Sequence, residues 1–298
     1  MTTKRWRREW TADGSPTLVH PEHGEACHNR VGAWLESWVR YVLACRLPEF
    51  FAERAGRAGR ELRLCDVGTG LGLNLAAALC AAEEGGGVLV ATSFENEAAV
   101  LDEAASWCAE NASQGPAARW WPVVQAALAA ARKRPGEFVP LQTRHRLRLC
   151  FGDACTELAA LDSAERFDAC FFDPFSAASD AGLWSADFLL ESARRLAPGG
   201  RLSTYSERAD ARLAWAAAGL AVAEGEPLGR KRAGSVALRA LTTADFAAQQ
   251  PSDKLRSLLA RRLGPWCAER GLEPPPDWFV EGPKFDVAGS KGQPGALE

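Results

Sequence analysis

The chain has 298 residues, 47% of them hydrophobic and 24% charged, with a formal net charge of −3. This is globular composition with enough apolar residues for a sizeable core, in one large α/β domain with additions or two small domains. No apolar run approaches the ~20 residues of a membrane span, no signal-peptide core follows the basic N-terminus, and the acidic balance excludes a global basic field for nucleic acid. Nine cysteines are scattered without a CxxC pair, so they read as reduced, buried thiols of a cytoplasmic protein, with no disulfide frame and no metal site.

In chain order, residues 1–60 read as an N-terminal extension. Trp10–Pro16 carries turn chemistry, and Trp34, Leu35, Trp38, Val39 and Val42 recur at helical spacing between Gly32 and Leu47. Residues 61–240 then alternate strand and helix signals. Strands are expected at Leu62–Val67, Val88–Phe94, Leu147–Phe151, Phe167–Phe172, Arg201–Tyr205, Leu220–Ala223 and Ser235–Ala240. Helices are expected at Leu71–Glu83, Glu97–Glu110, Leu183–Leu196 and Arg208–Ala218, with a mostly helical insertion over 111–145 and a helix stop at Pro198-Gly199-Gly200. The pattern predicts a doubly wound, mostly parallel, seven-stranded sheet of Rossmann-like type, with ligands at the carboxyl ends of its strands. Residues 241–298 form a tail, helical over Asp245–Gly264 and then rich in Pro and Gly, with a loosely ordered end.

The chemistry concentrates where strands end. The first runs Leu64-Cys65-Asp66-Val67-Gly68-Thr69-Gly70-Leu71-Gly72-Leu73-Asn74. A dinucleotide fingerprint needs a glycine at position 73, where Leu73 stands, which disfavours the alternative of a nicotinamide or flavin enzyme. Gly-x-Gly-x-Gly behind Asp66 is instead the pattern of S-adenosyl-L-methionine (AdoMet) methyltransferases. Glu95, Asp153 and Asp173 end the next three strands and converge with Asp66 on one rim. Glu95 is placed for the two ribose hydroxyls, because a carboxylate makes strong charge-assisted hydrogen bonds. Asp153 is placed for the adenine amino group. The backbone from Gly68 to Gly72 would approach the methionine part, which a side chain would block. Asp and Gly after strands are also good turn and cap residues, so the argument rests on all four acids in register with the glycines.

Thr11–Leu18, Gly24–Ala33 with Glu36-Ser37, Asp66–Leu75, Ser93-Phe94-Glu95, Phe172–Ala178 and Leu183-Trp184 together resemble the MnmC-like methyltransferases, over about residues 10–240. The resemblance implies a class I AdoMet-dependent fold and methyl transfer to the aminomethyl nitrogen of the wobble uridine in tRNA. It also implies a stand-alone methyltransferase, with a separate flavin-dependent oxidoreductase preparing the amine. The chain departs from the family at Pro174 and Ala177, where the family carries glycine and proline, and at Asn29, where serine is commoner. On this reading Asp173 is the general base; Thr69, Asn74 and Glu36 join the cofactor site; Phe175, Trp184 and His28 face the base. Phe175 and Trp184 are equally compatible with ordinary core packing, and Glu36 with a solvated helix face. Local RNA contact falls to Lys231 and Arg232, to the cluster Lys4–Arg8, and to Arg132–Arg134. The alternatives are a methyltransferase for a small amine or a protein, and an inactive AdoMet-fold scaffold.

Overall fold

The computed structural model describes residues 5–53, 61–110, 115–228 and 233–276. An antiparallel hairpin, β1 (Arg7–Trp10) and β2 (Pro16–Val19), comes first. Helix α1 (Ala33–Glu36) widens into a π-helical stretch at Ser37–Leu43, and α2 (Leu47–Glu53) follows. The α/β unit then runs β3 (Glu61–Val67), α3 (Leu73–Glu84), β4 (Val88–Glu95), α4 (Ala98–Glu110), α5 (Trp121–Ala131), β5 (Phe138–Pro140) and β6 (Arg146–Phe151). It continues with α6 (Ala154–Ala160), β7 (Phe167–Phe172), α7 (Ala186–Arg194), β8 (Leu196–Thr204), α8 (Ala209–Ala217), β9 (Ala221–Glu224) and β10 (Ser235–Leu238). Helices α9 (Thr243–Ala248) and α10 (Asp253–Ala268) close the described chain.

The strands form one eight-stranded sheet in the order β5-β6-β4-β3-β7-β8-β10-β9, parallel from β6 to β8 and antiparallel at both margins. Central strands of a parallel sheet are covered on both faces, so their sequences read as near-continuous apolar runs. Leu62 and Leu64 of β3 pack under α3, α4 and α5, while Cys65 and Val67 face α7, α8 and α10. Register brings the strand ends level. Val67 lies opposite both Phe94 and Phe172, and Glu95 opposite Phe151. The residues following all four strands therefore meet at one edge.

Three expectations change, and the turn at Trp10–Pro16 is borne out. The sheet has eight strands where seven were expected, because β5 arises inside the segment read as helical. It is a three-residue edge strand whose Pro140 suits a margin, and Phe138 carries the Arg146 and Arg148 guanidinium groups on its ring. The turn chemistry at Thr11–Pro16 closes a hairpin, with Asp13 accepting from Thr11 Oγ1 and the Ser15 amide. Pro198-Gly199-Gly200 lies within β8 beside a register shift, since α7 has already ended at Arg194. The helical part of the tail is two helices, the second capped by Ser252, and its Pro/Gly-rich end from residue 277 lies outside the described residues. Among the described residues no helix is long and apolar enough to cross a membrane.

Candidate active site

A cavity of about 530 Å³ opens at the carboxyl edge of the sheet, within the range of small-ligand sites. Its floor is Gly68–Gly70, Phe94–Glu97, Gly152–Ala154 and Asp173–Ser176. Gly24–Arg30 and Glu36 of the N-terminal extension supply a wall, with Asp180, Leu183 and Tyr205 opposite.

The glycine turn is tight for a steric reason. Gly68 has φ +88°, and a Cβ there would stand 2.5 Å from the Asp173 carbonyl oxygen. Gly70, at φ +50°, has open space where a side chain would be. Gly72 serves packing, since a Cβ would come within 2.9 Å of Val124 on α5. The turn's amides are spent internally. Gly68 and Thr69 N–H donate to the Phe94 carbonyl, Gly70 N–H to Glu95 Oε2 and Gly72 N–H to the Thr69 carbonyl. This is no anion cradle of the phosphate-binding kind.

Asp66 is corrected from ligand contact to strut. It is fully buried beneath the turn and lines no part of the cavity; Ser93 Oγ donates to its Oδ2 at 2.6 Å, and Ser93 in turn meets Thr69 Oγ1. Burial pushes its carboxyl up to about 7. Glu95 does line the cavity, its carboxylate aimed by the Gly70, Asn96 and Glu97 amides, each at 2.9 Å; burial still raises its pKa above the ordinary value. Asp153 lines the cavity and also caps α6, both bonds from Thr156 falling on Oδ2.

Asp173 lies at the tip of β7, in the cavity wall. Asn74, at the start of α3, donates from Nδ2 to Asp173 Oδ2 at 2.9 Å and accepts from Ser37 Oγ at 2.7 Å. Asn74 is thus the residue that orients the acid, and it is absent from the cavity lining. Burial, then the nearby Glu36 charge, drive the Asp173 pKa well above the carboxylate range; Asn74 and the buried Tyr41 hydroxyl oppose this, the hydroxyl without a well-formed hydrogen bond. Glu36 lines the cavity, pairs with Arg40 at 3.3 Å and accepts from the Asn29 amide. The π-helical stretch faces Ser37, Arg40 and Tyr41 inward together.

Of the residues expected to meet the substrate base, His28 and Phe175 line the cavity. His28 Nδ1 lies 3.2 Å from Thr17 Oγ1. The Phe175 ring packs against Trp6 and His20, at centroid distances of 6.3 and 5.4 Å. Trp184 is corrected: it is buried outside the cavity lining, donates from Nε1 to the Phe175 carbonyl at 2.8 Å and stands edge-on to Phe172, so it holds the loop. Lys231 and Arg232 lie outside the described residues, as does Lys4. The N-terminal basic cluster is engaged by acids, Arg7 with Glu9 and Arg8 with Glu103 and Glu110, and Arg132 pairs with Asp102. Sequence reasoning missed Glu25, which ties the extension to the loop after β7 by accepting from Ser176 N, Ser176 Oγ and Ser179 Oγ at 2.6–3.1 Å. Nothing local marks that pairing, which spans some 150 residues.

The cavity's carboxylates, Glu25, Glu36, Glu95, Glu97, Asp153, Asp173 and Asp180, face a single guanidinium, Arg30. Such walls suit an elongated cationic ligand. AdoMet, with a sulfonium and an ammonium against one carboxylate, fits this charge, the volume and the close approach that Gly68 and Gly70 permit.

Comparison with known proteins agrees. Residues 119–240 match a family described as S-adenosyl-L-methionine-dependent methyltransferase. The tRNA 5-methylaminomethyl-2-thiouridine biosynthesis bifunctional protein MnmC of Caulobacter vibrioides is 31% identical over 234 residues, 75% of this chain and 36% of that protein. The protein of the same name from Aromatoleum aromaticum is 31% identical over 221 residues, 72% of this chain and 32% of that protein. The crystal structure of MNMC2 from Aquifex aeolicus superposes with a TM-score of 0.65 at 29% identity, covering 80% of this chain and 72% of that one. The chain spans about a third of the length of these curated relatives. By fold, glycine turn and these likenesses, the chain is an S-adenosyl-L-methionine-dependent methyltransferase similar to the methyltransferase part of the MnmC proteins.

Proposed function

We propose that this chain transfers the methyl group of AdoMet to the aminomethyl nitrogen of the modified wobble uridine in tRNA. The observation that carries the reading is Asp173, a carboxyl with a raised pKa held by Asn74 in the wall of an acidic cavity. AdoMet, when bound, supplies an electrophilic methyl on a sulfonium. The chain's residues must supply a neutral amine, because an alkylamine is mostly protonated near neutrality and the ammonium has no lone pair. Cavity carboxylates attract the substrate as its ammonium. Asn74 occupies Asp173 Oδ2, so Oδ1 is the oxygen left to meet the ammonium and take its proton. A carboxylate whose pKa is raised above the ordinary range is a better proton acceptor than an ordinary aspartate. Phe175, buttressed by Trp6 and His20, offers a ring edge or face to the exposed base. On this reading a flavin-dependent oxidoreductase acts upstream to free the amine, and the site of action is the cytoplasm.

The test is incubation with AdoMet and tRNA bearing 5-aminomethyl-2-thiouridine, followed by digestion and mass spectrometry of the nucleosides. A gain of one methyl on that nucleoside is expected. Methylation of free alkylamines or protein lysines, with none on the tRNA, would overturn the reading in favour of a small-amine or protein substrate. No methylation of any acceptor despite AdoMet binding would leave a scaffold.

A further inference from the structure

The segment that follows Asp173 is tied down residue by residue. The Asp173 amide donates to the Val67 carbonyl at 2.9 Å, the Pro174 carbonyl accepts from the Tyr205 hydroxyl at 3.0 Å, and the Phe175 carbonyl accepts from Trp184 Nε1 at 2.8 Å. These ties come from the α/β unit. The next one comes from the N-terminal extension. Glu25 Oε2 accepts from the Ser176 amide at 3.1 Å, and Oε1 accepts from the Ser176 and Ser179 hydroxyls at 2.7 and 2.6 Å. Burial alone would raise the Glu25 carboxyl, but the serine donors outweigh it and hold the group below its ordinary value, so these charge-assisted bonds persist at neutral pH. The Glu25 main chain is fixed in turn. Its carbonyl accepts from the His20 amide at 2.8 Å, Ala26 bridges Val19, and the Cys27 amide donates to the Leu18 carbonyl at 2.9 Å. The same edge sets the His20 ring against Phe175, edge to face at 5.4 Å between centroids. One strand edge thus backs the Phe175 ring and also holds the residue after it.

We propose that Glu25 is a positioning residue for methyl transfer: it latches the extension onto Ser176 and Ser179 and so fixes the Phe175 ring against which the acceptor base is set. The inference rests on the tRNA reading, in which Phe175 meets the base. Glu25 lines the cavity, yet its two oxygens are spent on three donors of the protein, so it acts through the loop and not on the ligand. The latch matters because Phe175 lies two residues beyond Asp173, and the base and its amine must be placed together. A misplacement of about 1 Å in such a group costs ~10²-fold in rate.

The experiment is single-turnover methylation by the full chain, at saturating AdoMet and saturating tRNA bearing 5-aminomethyl-2-thiouridine, with AdoMet affinity measured by calorimetry. Glu25→Ala should lower the rate by about 10- to 100-fold, by the same factor at every pH, and leave AdoMet affinity unchanged. Phe175→Leu should lower the rate too, and Glu25→Ala should add little in that background, because the latch acts through the ring. Ser179→Ala deletes a single hydroxyl and keeps the test open if Glu25→Ala does not fold. It should lower the rate by about three- to tenfold, the range of one hydrogen bond, and it too should add little to Phe175→Leu. An unchanged rate in Glu25→Ala would overturn the proposal. So would full additivity with Phe175→Leu, which would place the effect elsewhere than in the ring. A changed pH dependence in Glu25→Ala would overturn it by giving Glu25 a share in the proton transfer, and a fall in AdoMet affinity matching the fall in rate would make Glu25 a prop of the whole cavity. If the unaltered chain bound AdoMet but methylated no tRNA, the tRNA reading itself would fall, and the latch for the base with it.

Discussion

Two aspartates at the carboxyl edge of the sheet, Asp66 buried and Asp173 partly exposed, do different work, and their surroundings say which. Asp66 is enclosed, with one oxygen bonded to Ser93 and the other, Oδ1, without a partner. Its carboxyl lies at about 7 in the folded protein against an ordinary 3.8. The folded state holds this proton more tightly than the unfolded chain. Stability that is fully present below the unfolded value is therefore lost as pH rises toward and through about 7. Asp66→Asn keeps the acceptor for Ser93 and has no proton to lose. It should flatten the dependence and raise stability at about pH 8 by some 2–4 kcal/mol, an upper range from the size of the shift. Urea unfolding on both sides of neutrality checks this, and parallel curves for the two proteins would refute it. Asp173 also has a raised carboxyl, yet it opens into the cavity. As the base it must be ionised, so single-turnover methylation should climb with pH through an apparent pKa above the usual aspartate range. Asp173→Asn should lower the rate by ~10²-fold or more and abolish that limb, with AdoMet affinity little changed. A variant that kept both the rate and the limb would assign the base elsewhere.

At the level of elements, what was legible in the sequence was what parallel strands impose on it. β4 and β7 are buried almost throughout and show as apolar runs, β3 and β6 as apolar runs broken by arginines, and each strand ends at an acid or glycine because the chain must turn there. Equal register then follows from the fold class, so Glu95, Asp153 and Asp173 could be placed on one rim before any coordinates. The short pieces were not legible. β5 is three residues at a margin, and β1 is a charged strand, Arg7-Arg8-Glu9-Trp10, held by its partner and by ion pairs to α4. Such strands carry little periodicity, and their pairing is decided by what lies alongside. The same limit applies to the site. Asp66 and Asn74 occur in the same motif, but only packing makes one a strut beneath the turn and the other the group that aims Asp173. Glu25 carries no local signal, because its partners, Ser176 and Ser179, are supplied by a distant part of the chain.

Across the whole molecule, stability and chemistry draw on different parts. The cavity takes its walls from the extension and from the tips of β3, β4, β6 and β7. The far end of the described chain is tied to the opposite face of the sheet. Helix α10 buries Leu255, Leu259, Leu263, Trp266 and Cys267 in the same cluster as α7 and α8, and none of these residues lines the cavity. Trp266 is 5% exposed, with the Arg270 guanidinium 4.1 Å from its ring centroid. Truncating a buried tryptophan removes its transfer energy and leaves a void, together about 3–5 kcal/mol. Trp266→Ala should therefore lower the stability of the whole α/β unit by that amount, in one transition seen alike by far-ultraviolet dichroism and by loss of AdoMet binding on heating. Well below that transition its AdoMet affinity should equal that of the unaltered protein. If α10 were an appendage, dichroism would report an early, separate loss of helix while AdoMet binding persisted to the original melting temperature. That outcome would remove α10 from the fold's cooperative core.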